Sequence, residues 1–449
     1  MLHSIRAATQ TARRICALLF AFALIPMAAQ AGEILEPAVR DESGKAPGFV
    51  TDPARPADAP TPEALGAIGA EDGAAAAVTL ASKAVTASRV AYGPKDPRVA
   101  LSILNLATAR QRAGDTPGAL RDYHAAIESL ESDGGPRDPR LFDAWYGVGY
   151  AHLQAGHFSA AATALETALQ LHRINRGLYS VGQLEVLHTL AVAQRARGQV
   201  EEADELQIRR MYVAERVHGL GTMRVADVYV SGGRWFRNVG RPYEALRLHA
   251  LAIQIYETKS KDDPRLFDPL IEAALAGSER RRDPDELPLV GVPTPAGAMS
   301  RAERLAEARK DGTPAERADD LIRVGDAHFV MGRRDSALKV YAKATTVLAA
   351  TGIRPPFDEA AFLVFQAPRP APLQGPPGYA LAEFTVDTGG KARDVRIVEQ
   401  QPTGLPAAVT HALAGAIKQA KLRPRVVNGK FVETAGVRYR LPVRGGSGP

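Results

Sequence analysis

Leu106-Ala107-Thr108-Ala109-Arg110-Gln111-Arg112-Ala113-Gly114-Asp115-Thr116-Pro117-Gly118-Ala119 decides how the chain folds, because its skeleton returns at a fixed interval. Gly114, Gly156, Gly198 and Gly240 follow one another at steps of 42 residues, and five residues after each stands Ala119, Ala161, Ala203 or Ala245. Seven residues before each glycine is a small residue: Ala107, Gly149, Ala191 or Gly233. Stretches with apolar residues at helical spacing flank every glycine, so each unit reads as helix, glycine-centred turn, helix. Glycine suits a helix end that passes through the left-handed conformation, and a small side chain suits a close approach of two helices. Such a period predicts a solenoid in which each unit stacks on the next.

A further unit is in register around Gly332, with Gly325, Ala337, Tyr341 and Ala344 at the matching positions. Upstream, Ala77 and Ala84 fall one period before Ala119 and Ala126, which predicts a leading half-unit that caps the array. The array is therefore expected over 63–282 and again over 301–352. Prolines 284, 288, 293 and 295 predict a break over 283–300. Asp-Pro-Arg-Leu-Phe-Asp occurs at 138–143 and 263–268, with Asp-Pro-Arg also at 96–98, and reads as a helix start, where the fixed φ of proline is an advantage.

Leu106, Ala107, Gly114, Ala119, Tyr123 and Ala126, followed by Trp145, Gly149, Gly156, Ala161, Leu165 and Ala168, resemble the tetratricopeptide repeat (TPR) in a lengthened form. The resemblance implies a concave surface for a peptide or a partner helix. It would place Asp143, Tyr146, Tyr150, Glu185, His188, Asp227, Arg234 and Arg237 on the groove side of first helices. An array of this kind can also be a spacer or a dimerisation scaffold. The charges of these eight residues are mixed, and no run of lysines and asparagines marks a carboxylate clamp, so the ligand is not named.

Beyond 352 the pattern changes. Prolines 355, 356, 368, 370, 372, 376 and 377 predict a stiff linker over 353–378, after which the period becomes strand-like. Tyr379 to Asp387 reads as a strand, Thr388-Gly389-Gly390-Lys391 as a hairpin turn, Ala392 to Glu399 as the return strand and Leu405 to Lys421 as a helix. A last strand follows, with Val437, Tyr439, Leu441 and Val443 on one face and Arg438 and Arg440 on the other; residues 444–449 read as a flexible tail.

Phe384-Thr385-Val386-Asp387-Thr388-Gly389-Gly390-Lys391, Leu422-Arg423-Pro424 and Asn428-Gly429-Lys430 resemble, in order and spacing, the C-terminal domain of TonB proteins. The expected architecture is thus multidomain: an all-α TPR solenoid followed by a small α+β domain, TonB-like, over 379–443. This second resemblance implies binding by strand addition, with Val437, Arg438, Tyr439, Arg440 and Leu441 as the receiving edge. Cationic residues on an edge strand also guard it against aggregation, and Arg438 and Arg440 fit either role. The partners implied are proteins or peptides, outer-membrane TonB-dependent transporters among them. The alternatives are a structural scaffold that organises an envelope complex without energy transduction, and a homodimer through the C-terminal domain.

Arg6, Arg13 and Arg14 precede an apolar run from Ile15 to Ala29, and Ala29-Gln30-Ala31 supplies a small-residue cleavage site, so 1–31 reads as a secretory signal peptide. The expected compartment is the periplasm; an uncleaved leader would anchor the chain to the inner membrane. The one cysteine, Cys16, lies in this leader, which leaves the mature chain without thiol or disulfide chemistry. Prolines 37, 47, 53, 56, 60 and 62 make 32–62 a flexible tether. The formal charge of +6 divides into +3 for the leader, +7 for 361–449 and −4 for the remainder, which withdraws the support that the total charge lends to a nucleic-acid partner.

No His-Glu-x-x-His, Gly-x-Ser-x-Gly or Gly-x-x-x-x-Gly-Lys sequence occurs. His152 and His157 are five apart, off the spacing that aligns two ligands on one helix face. The reading is a protein that is not an enzyme and holds no cofactor or metal.

Overall fold

The computed structural model describes Gly48, Val50 and residues 73–280, 291–309, 312–349, 351–352, 357, 361–362, 371–374, 378–401 and 403–446. The leader over 1–31, nearly all of the tether over 32–62, residues 63–72 of the capping unit and most of the linker over 353–378 lie outside the described residues.

Thirteen helices build the array among the described residues. In chain order they are α1 (Ala74–Tyr92), α2 (Pro97–Arg112), α3 (Thr116–Gly134), α4 (Leu141–Ala155), α5 (Phe158–Arg176), α6 (Gly182–Ala196) and α7 (Val200–His218). They continue as α8 (Met223–Asn238), α9 (Pro242–Glu257), α10 (Phe267–Glu279), α11 (Pro295–Ala308), α12 (Pro314–Val330) and α13 (Arg334–Ala349). From α2 onward successive helices pair into six hairpins, each packed on the next, while α1 packs on α2 as the predicted cap. The turn glycines 114, 156, 198, 240 and 332 have φ between +77° and +83°, the left-handed conformation that the period required.

The small residue inside each first helix has a physical cause. A Cβ added at Gly149, Gly233 or Gly325 would lie 2.5 Å from Leu165 Cγ, 2.5 Å from His249 Nε2 or 2.3 Å from Tyr341 Cε1. Each of those neighbours comes 16 residues later, from the second helix of the same hairpin, so the contact is built into the repeat. The Asp-Pro-Arg starts are also explained. Asp96, Asp138 and Asp263 each accept a hydrogen bond from the backbone N–H of the arginine two residues on, at 2.9, 2.8 and 3.0 Å. The guanidinium of that arginine returns to the same carboxylate, at 2.8 Å for Arg98 and 3.0 Å for Arg140 and Arg265.

The expected break over 283–300 is corrected. Pro295 is the first residue of α11, which pairs with α10 and continues the array; Gly277 lets it approach, since a Cβ there would lie 3.0 Å from Pro295 Cγ. Gly332 follows Gly240 by 92 residues, two periods plus eight. In the fifth hairpin α10 ends at Glu279 and α11 begins at Pro295, a longer interval than in the other hairpins.

The C-terminal unit contains β1 (Ala361–Phe362), β2 (Ala371–Gln374), β3 (Gly378–Val386), β4 (Ala392–Gln401), α14 (Ala407–Gln419), β5 (Leu422–Arg423), β6 (Arg425–Val427), β7 (Lys430–Val432) and β8 (Thr434–Gly446). Its main sheet has the order β2-β8-β3-β4, antiparallel except where β2 joins β8. Leu413 and Ile417 of α14 are buried against Ala380, Ala382, Phe384, Val386 and Leu441. Two boundaries shift. Residues 444–446, read as tail, complete β8, and 371–374, read as linker, pair with Val443–Gly446 of it.

This unit is fixed to the last hairpin. Arg423 reaches the Asp326 carboxylate at 3.1 and 3.3 Å, and the Tyr341 hydroxyl donates to the same carboxylate at 2.7 Å. Phe431 meets Phe329 with ring centroids 4.9 Å apart, and Tyr341 meets Phe357 at 4.9 Å. Lys421 Nζ donates to the carbonyl of Val330 at 3.1 Å.

Candidate functional site

Four first helices, α6, α8, α10 and α12, line a concave recess of about 1190 Å³. Helices α6, α8, α10 and α12 contribute Glu185, Asp227, Asp268, Asp320 and Arg323; α7 and α11 contribute Arg210, Arg301 and Arg304, and Arg309 follows directly after α11. Lys261, Asp262 and Arg265 enter from the connection before α10. Seven basic and five acidic side chains therefore line it, a polar, charged surface with a small positive excess.

Several of the charges are held in ion pairs. Arg323 bonds Asp268 at 2.7 Å, Arg309 bonds Asp320 at 2.6 Å and Arg301 bonds Glu257 at 2.6 Å. Burial pushes the Asp268 carboxyl upward, but Arg323 and Arg234 outweigh it and hold the group below its ordinary value. Arg304 and Lys261 stand exposed at the rim. Arg301, Arg304, Leu305 and Ala308 share one face of α11 at helical spacing. Such a surface suits an extended, charged polypeptide better than a small apolar ligand.

Of the eight groove residues expected from sequence, the recess brings Glu185 and Asp227 together. The other six sit elsewhere, and four of them join neighbouring elements of the stack. Buried Tyr146 reaches Thr189 Oγ1 at 3.2 Å across the first helices of adjacent repeats. His188 is buried with Nδ1 2.9 Å from Gln207 Nε2 and its ring edge-on to Trp235. Arg234 bonds Asp268 at 2.7 Å and Arg237 bonds Glu272 at 2.8 Å. At these four positions the side chain meets a neighbouring helix of the stack. Tyr150 is buried beside Tyr146, and burial pushes the carboxyl of Asp143 above its ordinary range. Arg210, Arg301, Arg304, Arg309 and Arg323 were not found from sequence. A signal existed only for Arg265 and Asp268, which belong to the repeated hexapeptide.

The second expected surface is the last strand. Over Thr434–Val443, β8 pairs with β3 on one side, and β2 covers its other side only at Val443–Gly446. Among the described residues no strand lies along the outer side of Val437–Leu441. Val437, Tyr439 and Leu441 pack on the core, with Leu441 fully buried. On the opposite face Arg438 bonds Glu383 at 2.8 Å and Arg440 lies 4.1 Å from the centre of the Tyr379 ring. Both arginines thus brace β8 against β3.

His152 and His157 meet, contrary to their spacing, because the left-handed turn at Gly156 folds the chain back and brings the two Nδ1 atoms to 3.3 Å. Among the described residues no group of three or more His, Cys, Asp or Glu is placed to hold a metal ion, and no helix is long and apolar enough to cross a membrane.

With this geometry in view, residues 100–174 match the family model described as Tetratricopeptide repeat. The matched stretch spans helices α2 to α5, the first two hairpins of the array. No match is found among curated proteins. Among solved structures this chain is similar to BtubC (BKLC) from P. vanneervenii, at 19% identity over 62% of this chain and 92% of that one, with a TM-score of 0.39. It is also similar to the apo form of RapI, at 12% identity over 61% and 72% of the two chains, with a TM-score of 0.44.

Proposed function

We propose that the protein is a non-enzymatic binding protein of the periplasm, related to the TonB family. In this reading the TPR array holds an extended segment of a partner protein, and the C-terminal unit accepts a second segment by strand addition along Val437–Leu441. The observation that carries the reading is the charged recess, which runs across four consecutive first helices and so offers length and polarity that a folded globular ligand would not use. The place of Val437–Leu441 on β8, with no strand along its outer side among the described residues, supports the second site, since a sheet edge accepts a strand in register. The Arg6-to-Ala31 leader pattern supports export, and the Phe384–Lys391, Leu422–Pro424 and Asn428–Lys430 motifs support an outer-membrane transport partner.

A second reading is favoured by one feature, the fixation of the C-terminal unit to α12 and α13 through Arg423 and Phe431. A unit held this way suits a scaffold that organises an envelope complex and transmits no force.

Site-directed crosslinking in the full chain separates the readings. Crosslinkers at Arg304 and Arg438 are expected to yield adducts with protein partners, and the double substitution Arg301→Glu with Arg304→Glu is expected to lower capture at the first position at least tenfold. Adducts at Arg304 alone would leave the scaffold and remove strand addition. None at Arg304 would remove the groove reading. The purified protein is expected to begin at Gly32.

A further inference from the structure

Asn105 stands near the middle of α2, the first helix of the first hairpin, and is almost wholly buried. Its side-chain amide makes two hydrogen bonds to a single distant residue. Oδ1 accepts from the backbone N–H of Val50 at 2.6 Å, and Nδ2 donates to the backbone carbonyl of Val50 at 3.0 Å. The N–H and C=O of one residue point the same way only when the backbone is extended, and the reciprocal pair is what a neighbouring strand offers in an antiparallel ladder. Here one amide takes the place of that strand. The Val50 side chain packs on the cluster formed by Leu101, Leu104 and their neighbours.

Three further observations make this more than an incidental contact. Val50 lies in a stretch whose composition predicts a flexible tether, so the pairing must offset the entropy of ordering it. Pro47 and Pro53 stand three residues to either side of it in the sequence. One, two and three periods after Asn105 stand Gly147, Thr189 and Ser231, none of which carries an amide, so the device belongs to this end of the array alone.

We propose that Asn105 and the apolar side chains beside it form a docking site that reads extended backbone, and that the chain's own Val50 occupies it in cis. A partner segment that takes this site must displace Val50. The occupant that fits is an extended segment with a small branched apolar residue whose N–H is intact, so proline is excluded at that position. A cis ligand on a linker of some twenty residues is present at an effective concentration of about a millimolar, which sets the level a competitor must exceed. The displacement half of the proposal rests on the groove reading given above. The docking of Val50 on Asn105 does not.

The test uses the full chain and a labelled peptide with the sequence Ala46 to Pro53. Wild type is expected to bind it weakly. Val50→Pro removes the N–H, lies outside every helix and is expected to raise peptide affinity at least tenfold; adding Asn105→Ala is expected to abolish the gain. Equal binding by wild type and Val50→Pro, or a gain that survives Asn105→Ala, would overturn the proposal. Hydrogen exchange at the Val50 amide reads the cis contact directly. It is expected to be protected in wild type and unprotected in Asn105→Ala and in the milder Asn105→Asp, and fast exchange in wild type would also overturn it. Protection at Val50 together with crosslinking that fails at Arg304 would leave this site standing while the wider groove reading falls.

Discussion

At the residue scale, His249 shows how a repeat can place an ionisable group where no partner reaches it. It occupies the position that Tyr123, Leu165 and Tyr341 hold in other hairpins, against Gly233, and is fully buried with neither ring nitrogen hydrogen-bonded among the described residues. Burial pulls its pKa down to about 4, with Glu272 opposing and Arg234 and Arg237 reinforcing that shift. Between pH 6.5 and 4 the unfolded chain therefore binds a proton that the folded chain refuses. The stability present above pH 6.5 is lost as pH falls to 4, by about 3 kcal/mol for this group. Urea unfolding at steps of pH over that window is expected to show the decline in wild type and a flatter profile in His249→Leu, since leucine already fills the matching place at 165. An unchanged slope in the variant would assign the pH dependence to other groups.

At the element scale, the hairpin rests on the contact between a small residue in the first helix and a large one 16 positions later. Gly149→Ala tests it, because the new Cβ would lie 2.5 Å from Leu165 Cγ and 3.2 Å from the Leu165 backbone nitrogen. The helices must move apart, since backbone cannot give way as a flexible side chain can. The expected loss is about 1–3 kcal/mol despite the better helix propensity of alanine. Chemical denaturation measures it, and a stabilised variant would show that the helices have slack at this crossing. The elements also show why sequence spacing misplaced the break. Prolines near 290 mark a long connection, but spacing does not distinguish a connection between repeats from one inside a hairpin. Packing of α11 on α10 settles it, as the apolar face formed by Ala298, Met299, Ala302 and Ala306 has to be buried somewhere.

At the scale of the whole molecule, the array and the C-terminal unit are joined by a buried charge. Arg423→Met would leave the Asp326 carboxylate buried with Tyr341 as its remaining partner, and the expected cost is about 3–5 kcal/mol. The double variant Asp326→Leu with Arg423→Met is expected to recover most of it, because neither charge is then stranded. Differential scanning calorimetry should show one transition in wild type and two in Arg423→Met. A single unchanged transition would mean that the aromatic contacts of Phe431 suffice. Arg423 also marks the limit of what sequence could tell: Leu422-Arg423-Pro424 stood out as a motif, yet nothing in the chain named Asp326, 97 residues away, as its partner. By itself the sequence determined the period, the glycine turns, the capping helix, the hairpin strands β3 and β4 and helix α14, because local conformational preference and apolar spacing act within a few residues. Only the tertiary structure decided that Tyr146, His188, Arg234 and Arg237 contact neighbouring helices of the stack, that Arg304 reaches the recess, and that Asn105 holds Val50. Those facts depend on which surfaces meet, and contacts between residues tens of positions apart leave no periodic trace in the chain.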